Sequence, residues 1–138
     1  MTEEVLVLEA SEAFTRFYQA IDEQFASGIA SVEELSRHAT PAVARTWADA
    51  IEASRDRGET SRGVLEITAI KVIEWTDPTL ATVLCTDGAG IVTTDAQGLV
   101  MPASGLVAWS ATFVRLIDEE RFVVAGLEPV QDQSVCAG

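Results

Sequence analysis

Residues 105–130 read GLVAWSATFVRLIDEERFVVAGLEPV, and the fold prediction starts from them. Two runs rich in β-branched and aromatic residues flank the acidic triplet Asp118-Glu119-Glu120. Such runs are typical of strands, so the stretch predicts a long β-hairpin near the C-terminus. We expect the preceding chain to cover one face of the sheet to which this hairpin belongs.

The N-terminal part of the chain has the period of amphipathic helices. Between residues 3 and 27, apolar side chains recur at spacings of three and four, which predicts one long helix. They are Leu6, Ala10, Ala13, Phe14, Phe17, Ile21 and Phe25. Thr2 is suited to cap this helix, and Gly28 to end it.

Two shorter helices are predicted next. Ser31 and Glu34 match a capping box, so a helix should begin there and end near His38. Thr40 and Pro41 predict the cap and first residue of a third helix, which runs to about residue 57. Residues 58–63 are rich in Gly, Ser and Thr and predict a loop.

From about residue 62 the hydrophobic period changes to two, as in strands. The alternation predicts a strand with one face formed by Leu65, Ile67, Ala69, Ile73 and Trp75. A turn at 76–79, a strand at 80–87 and a small hairpin around 95–98 should lead into the final hairpin. Helices before strands indicate an α+β fold, with the helices on one face of a strongly bent antiparallel sheet. The prediction is one domain, 1–138, with helices at about 3–57, the sheet at about 62–131 and a tail at 131–138.

Charge restricts the partners. The chain carries 22 acidic and 9 basic residues, for a formal net charge of -13. Nucleic acids and anionic membrane surfaces are therefore disfavoured, because both require clustered Lys and Arg. No apolar run is long enough to span a bilayer, and the acidic N-terminus does not resemble a signal peptide.

This order of elements resembles the ketosteroid-isomerase-like or nuclear-transport-factor-2-like (NTF2-like) superfamily, across nearly the whole chain. The resemblance implies a cone-shaped, cystatin-like arrangement with a pocket between the helices and the sheet. It implies little about activity, because it rests on element order and not on a catalytic motif.

A narrower resemblance is to small secreted actinobacterial lipoproteins of this fold. It rests on Cys85-Thr86-Asp87, on Asp95 with Gly98, on the run at 111–115 and on Cys136. It implies a Cys85–Cys136 disulfide, an extracytoplasmic location and no known enzyme activity. The lipobox cysteine of such proteins is absent from this sequence, so we expect the leader to precede it.

The two cysteines can also be interpreted without that resemblance, in two ways. A disulfide would fix the polar tail that carries Cys136; alternatively, Cys85 is a small buried residue and Cys136 is free. Two cysteines and one histidine make a structural zinc site improbable, and we expect no metal and no cofactor. A cytoplasmic location remains the alternative.

Four residues are candidates for a ligand pocket. Tyr18 lies beside the inner stripe of the first helix and could donate to a ligand oxygen; otherwise it is a boundary tyrosine. Trp47 and Trp109 could line a pocket or simply fill the core. Arg115 interrupts an apolar strand face and could bind a carboxylate, or pair with a nearby acid. His38 is a weaker candidate base, and no catalytic residue is assigned.

Three functions follow. The first is a non-enzymatic binding or accessory domain of the cell envelope, with a small apolar ligand or a protein partner, or as a homodimer through the sheet. A membrane would be reached only through a lipid anchor outside this sequence. The second is a SnoaL-like or isomerase-like enzyme with a deep pocket and a buried carboxylate. The third is an acidic inhibitor or immunity-type protein that masks a basic partner, with reduced cysteines.

Overall fold

The computed structural model describes residues 1–136, which form three helices, then six strands and a short 3₁₀ helix. Their bounds are α1 (Glu3–Ser27), α2 (Val32–Leu35), α3 (Pro41–Asp56), β1 (Thr60–Gly63), β2 (Glu66–Thr76), β3 (Thr79–Asp87), β4 (Ile91–Thr94), β5 (Leu106–Leu116), β6 (Arg121–Pro129) and the 3₁₀ helix Gln133–Cys136. The predicted α+β class, with helices preceding a curved antiparallel sheet, is confirmed.

Helix α1 has the predicted bounds because its caps and its apolar stripe agree. The hydroxyl of Thr2 accepts the N–H of Val5 at 3.2 Å, and Gly28 ends the helix in the left-handed conformation, with φ of 74°. Phe14, Phe17 and Ile21 on the predicted stripe are fully buried against the sheet. Burying large side chains along one stripe fixes the helix on the sheet.

Helix α2 is shorter than predicted and ends at Leu35, before His38. The side chain of Ser31 caps it by accepting the N–H of Glu34 at 3.1 Å. Glu34 does not reach back as a capping box requires, because Gln24 of α1 accepts the N–H of Ser31 at 3.0 Å. The long-range bond thus replaces the local one.

The segment between α2 and α3 is tied to β6. The N–H of Thr40 donates to the carbonyl of Val124 at 2.8 Å, and the N–H of Val124 donates to the carbonyl of His38 at 3.0 Å. Thr40 occupies the predicted N-cap position of α3, but its side chain does not form the hydrogen bond that a capping residue supplies. Pro41 at the start of α3 has no N–H that needs a partner.

The main sheet has the order β2-β3-β5-β6, with all pairs antiparallel, and it includes the predicted C-terminal hairpin β5–β6. A second, two-stranded sheet pairs β1 with β4. The loop predicted at 58–63 is therefore wrong over Thr60–Gly63, which is β1. Its short polar sequence becomes a strand only because a distant strand pairs with it.

The predicted inner face of the strand is correct for Leu65, Ile67 and Trp75, which pack against the core, and wrong for Ala69 and Ile73. Register shifts between Ile67 and Ala69, and between Val72 and Glu74, interrupt the alternation. Each shift adds a residue to one strand, so the side chains beyond it change faces. Ile73 is consequently exposed on the outer face of the sheet, the face opposite the helices. The inward residues of β2 that pack against the core are Ile67, Ile70, Val72 and Trp75.

A disulfide joins Cys85 of β3 to Cys136 of the 3₁₀ helix, with Cα atoms 5.8 Å apart, which confirms the predicted pairing. Gln133 holds the same segment by hydrogen bonds. Its amide oxygen accepts the N–H of Ala108 at 2.8 Å, and its amide nitrogen donates to the carbonyl of Ala108 at 3.0 Å. The C-terminal segment is thus fixed to the sheet both covalently and by a side chain.

Candidate functional site

Helix α1 and the link between β1 and β2 enclose a small recess of about 120 Å³. Its walls are Phe14, Thr15, Tyr18, Gln19, Asp22, Gly63, Val64 and Leu65. We call it the Tyr18 recess. Drug-sized ligands generally occupy pockets of roughly 300–1,000 Å³, so this recess holds something much smaller.

Two polar side chains in the Tyr18 recess come from successive turns of α1. Tyr18 and Asp22 are four residues apart, a spacing that places helical side chains next to each other. The ring of Phe14, one turn earlier, is stacked on the ring of Tyr18, with centroids 6.3 Å apart and planes at 17°. One helix face therefore supplies an apolar floor, a hydroxyl and a carboxylate.

Asp22 is held in place from across the recess. One of its carboxylate oxygens accepts the N–H of Gly63 at 3.1 Å. Gly63 has φ of 146°, and a Cβ atom there would lie 2.2 Å from the carbonyl oxygen of Gly90. Only glycine satisfies both conditions, so this residue allows β1 to lie close to the backbone of Gly90 and Ile91. The second carboxylate oxygen of Asp22 retains its capacity to accept hydrogen bonds.

The hydroxyl of Tyr18 is a neutral donor. Burial first, and the negative charge of Asp22 second, raise the pKa of Tyr18 to about 12. Both effects disfavour the phenolate, so the hydroxyl keeps its proton across the physiological range. A neutral hydroxyl beside a carboxylate offers a ligand one donor and one acceptor.

The two candidate tryptophans meet each other and not Tyr18. The rings of Trp47 and Trp109 are 6.4 Å apart, and the ring of Phe17 meets Trp47 edge-on at 6.4 Å. The indole N–H of Trp109 donates to the hydroxyl of Thr86 at 2.9 Å. Trp47 also borders a separate cleft of about 270 Å³ between α3 and β6.

Arg115 lies outside the Tyr18 recess, in an ion pair. Its guanidinium donates to the carboxylate of Asp77, in the turn between β2 and β3, with an Nε–Oδ1 distance of 3.2 Å. The hydrogen bond to Asp77, and then its charge, raise the pKa of Arg115 above its ordinary value. The site hypothesis for Arg115 therefore has no support from its position.

His38 also lies apart from the recess. Its Nδ1 atom is buried without a hydrogen-bond partner among the described residues. Burial lowers the pKa of His38, Arg121 lowers it further, and Glu34 opposes them. No carboxylate in the described part of the chain orients the ring in the way that a general base requires.

Sequence reasoning found Tyr18 but missed Asp22 and Gly63. The four-residue spacing of Tyr18 and Asp22 was a signal that could have paired them. The contact between Asp22 and Gly63 spans 41 residues and leaves no local trace in the sequence.

Within residues 1–136, no group of three His, Cys, Asp or Glu side chains is placed to hold a metal ion. None of the helices in that range is long and apolar enough to cross a membrane.

Comparison with known proteins identifies the fold. A scan against protein-family models and a search of curated proteins found no match. Among solved structures, a Catenulispora acidiphila protein in complex with S-DNPA matches with a TM-score of 0.60 and 18% identity over 99% of this chain and 100% of that one. Aln2 from a Streptomyces species matches with a TM-score of 0.56 and 21% identity over 98% and 96%. A member of the NTF2-like family from Streptomyces avermitilis matches with a TM-score of 0.54 and 19% identity over 94% and 99%.

The chain therefore has the NTF2-like fold, as its element order predicts, and these three neighbours come from actinobacteria. At these identities the likeness concerns the fold alone. The narrower resemblance to secreted lipoproteins stays a prediction.

Proposed function

We propose that this protein is a small-molecule-binding domain whose binding site is the Tyr18 recess. The observation that carries the proposal is the pairing of a proton-retaining hydroxyl, Tyr18, with a carboxylate, Asp22, above an apolar floor. The Catenulispora acidiphila neighbour, which binds a small ligand, gives the proposal a precedent on the same fold.

The size of the recess sets the class of ligand. The recess, at about 120 Å³, is somewhat smaller than the dry cavity of about 150 Å³ that binds benzene, so it accepts at most one ring, part of which would stay exposed to solvent. The ring would lie on Phe14 and Leu65, and an acceptor on it would take the hydrogen of the Tyr18 hydroxyl. We therefore expect a neutral, single-ring ligand with a carbonyl or similar acceptor.

The geometry favours binding over catalysis. The isomerase-like alternative predicts a deep pocket with a buried carboxylate. In the described residues the recess is small, and Asp22 is only partly buried. Asp22 is also already engaged by the N–H of Gly63. A general base gains strength from deep burial, and the burial of Asp22 is only partial.

Matched ligands test the proposal. Acetophenone carries a carbonyl acceptor, and ethylbenzene has nearly the same shape without one. In an NMR titration, acetophenone should shift the amide signals of Gly63, Val64 and Leu65 and bind more tightly than ethylbenzene. Replacing Tyr18→Phe should weaken acetophenone about threefold to tenfold, the worth of one neutral hydrogen bond. Ethylbenzene should be unaffected.

A control variant removes a hydroxyl elsewhere. Ser110→Ala, at an exposed position in β5, should leave the affinity for both ligands unchanged. Two results would exclude the Tyr18 recess as the site. One is that the ligand shifts only amide signals of residues in the cleft between α3 and β6. The other is that Tyr18→Phe binds acetophenone as tightly as the wild-type protein does.

We also propose an extracytoplasmic location, which the Cys85–Cys136 disulfide supports. Disulfides persist in oxidising compartments, whereas the inhibitor hypothesis expects reduced cysteines. The intact mass of protein purified under alkylating conditions is the test. We expect a mass lower by two hydrogens, with no thiol alkylated. Alkylation of both thiols would instead support the cytoplasmic alternative. The accessory role at the envelope and the homodimer stay predictions.

A further inference from the structure

The outer face of the main sheet carries a second and larger recess. Its volume is about 570 Å³, within the range of about 300–1,000 Å³ that ligand pockets occupy. It is lined by Ala69, Lys71, Ile73, Val83, Cys85 and Val135, among others. We call it the Lys71 groove. The sheet separates it from the helical layer, and no residue lines both it and the Tyr18 recess.

The C-terminal segment builds one wall of the groove. Val135 is adjacent to Cys136, whose disulfide to Cys85 holds the 3₁₀ helix against β3. The hydrogen bonds of Gln133 to Ala108 secure the same helix. Two independent attachments therefore fix the wall, so the groove is formed before any ligand arrives. A preformed site binds more tightly because less conformational entropy is lost.

The groove is apolar except for one cation. Lys71 is the only lysine in a chain of net charge -13. The facing strand β3 has no acidic residue before Asp87 and β5 has none; β2 carries the exposed Glu74, which does not line the groove. Five of the eight arginines form ion pairs with carboxylates; Lys71, like the other three, pairs with no described residue. An unpaired ammonium above an apolar floor is complementary to an anionic head on an apolar body.

We propose that the Lys71 groove binds a free fatty carboxylate. The aliphatic chain lies against Ile73, Val83 and Val135, and the carboxylate pairs with the ammonium of Lys71. Ile73 and Val135 are 57% and 55% exposed, so the chain would cover apolar surface that water now contacts.

Titration calorimetry with dodecanoate, below its micelle concentration, tests the proposal. We expect one saturable site per chain. Lys71→Met keeps an apolar stem of similar length without the charge, and it should weaken dodecanoate at least fivefold. Arg45→Met makes the same change of charge on α3, in the helical layer, and should leave the affinity unchanged. Dodecanol, with no charge on its head group, should bind wild-type protein more weakly than dodecanoate does.

Reduction of the disulfide gives a readout that does not depend on Lys71. With a reductant present, the covalent attachment to β3 is lost and only the hydrogen bonds of Gln133 hold the wall that Val135 forms, so dodecanoate affinity should fall by threefold or more. Tyr18→Phe should change nothing here, which separates this site from the proposed function.

Three results would overturn the proposal. One is the absence of saturable dodecanoate binding by the oxidised protein. Another is equal weakening by Lys71→Met and Arg45→Met, which would indicate a general charge effect. The third is a stable dimer, seen by sedimentation velocity, that dissociates in the Ile73→Glu variant but not when dodecanoate is added. A second copy of the chain would then occupy the groove.

Discussion

Opening the Cys85–Cys136 bond should lower the free energy of unfolding by about 2–4 kcal/mol. The bond closes a loop with a sequence separation of 51 residues. In the chain-entropy model, a loop of this length restricts the unfolded chain by about 4 kcal/mol at 25 °C, and measured disulfides commonly give 2–4 kcal/mol. For a chain of 138 residues, each kcal/mol corresponds to about 3–4 °C in Tm. We therefore expect reduction to lower Tm by about 6–16 °C.

Calorimetry of the same wild-type sequence, oxidised and reduced, measures this loss without changing any side-chain volume. The double variant Cys85→Ser with Cys136→Ser serves as the control, since the reductant should not move its Tm. A second variant, Gln133→Ala, identifies what the side-chain bonds to β5 contribute to the oxidised protein. A reduced wild-type Tm within about 2 °C of the oxidised value would refute the loop-closure reasoning.

Three further perturbations test the packing. Gly63→Ala should destabilise the fold by at least about 2 kcal/mol in urea denaturation, because its Cβ meets a carbonyl oxygen; Gly98→Ala, with open space around it, should cost only about 1–2 kcal/mol. Thr86→Val should cost about 1–3 kcal/mol by leaving the indole N–H of Trp109 without its acceptor; an unchanged urea midpoint would show that water replaces the hydroxyl. The lowered pKa of His38 means that the unfolded chain takes up the proton first, so wild-type stability should fall as pH decreases through about 6.5. His38→Asn should lose less stability between about pH 7 and about pH 5, and parallel pH profiles would contradict this.

Sequence reasoning succeeded where the signal is local and repeated. Helix α1 has the predicted bounds because its apolar stripe continues over about seven turns and both ends carry capping residues. The β5–β6 hairpin was predictable for a similar reason, since two β-rich runs flank a charged turn. Such elements contain within themselves the pattern that defines them.

The failures share a physical cause, which is that distant residues decide the outcome. The faces of β2 depend on where its register shifts against β3, and alternation alone does not show a bulge. β1 exists because β4 pairs with it. At the candidate site, Tyr18 was found from its helix position. The anchoring of Asp22 by Gly63, however, follows from a contact across the fold.

The side chain of Gln133 protects the protein against strand addition by another molecule. β6 ends at Pro129. The N–H of the next residue, Val130, still donates to the carbonyl of Ala108 in β5. The N–H of Ala108, however, has no backbone acceptor in β6. The amide oxygen of Gln133 accepts that N–H, and its amide nitrogen donates to the same carbonyl, as a further strand residue would. Unpaired strand edges are templates for aggregation. Here the side-chain amide of Gln133 covers the unpaired part of β5, and the disulfide keeps Gln133 in place. Storage of this protein with a reductant should therefore favour fibrous precipitates.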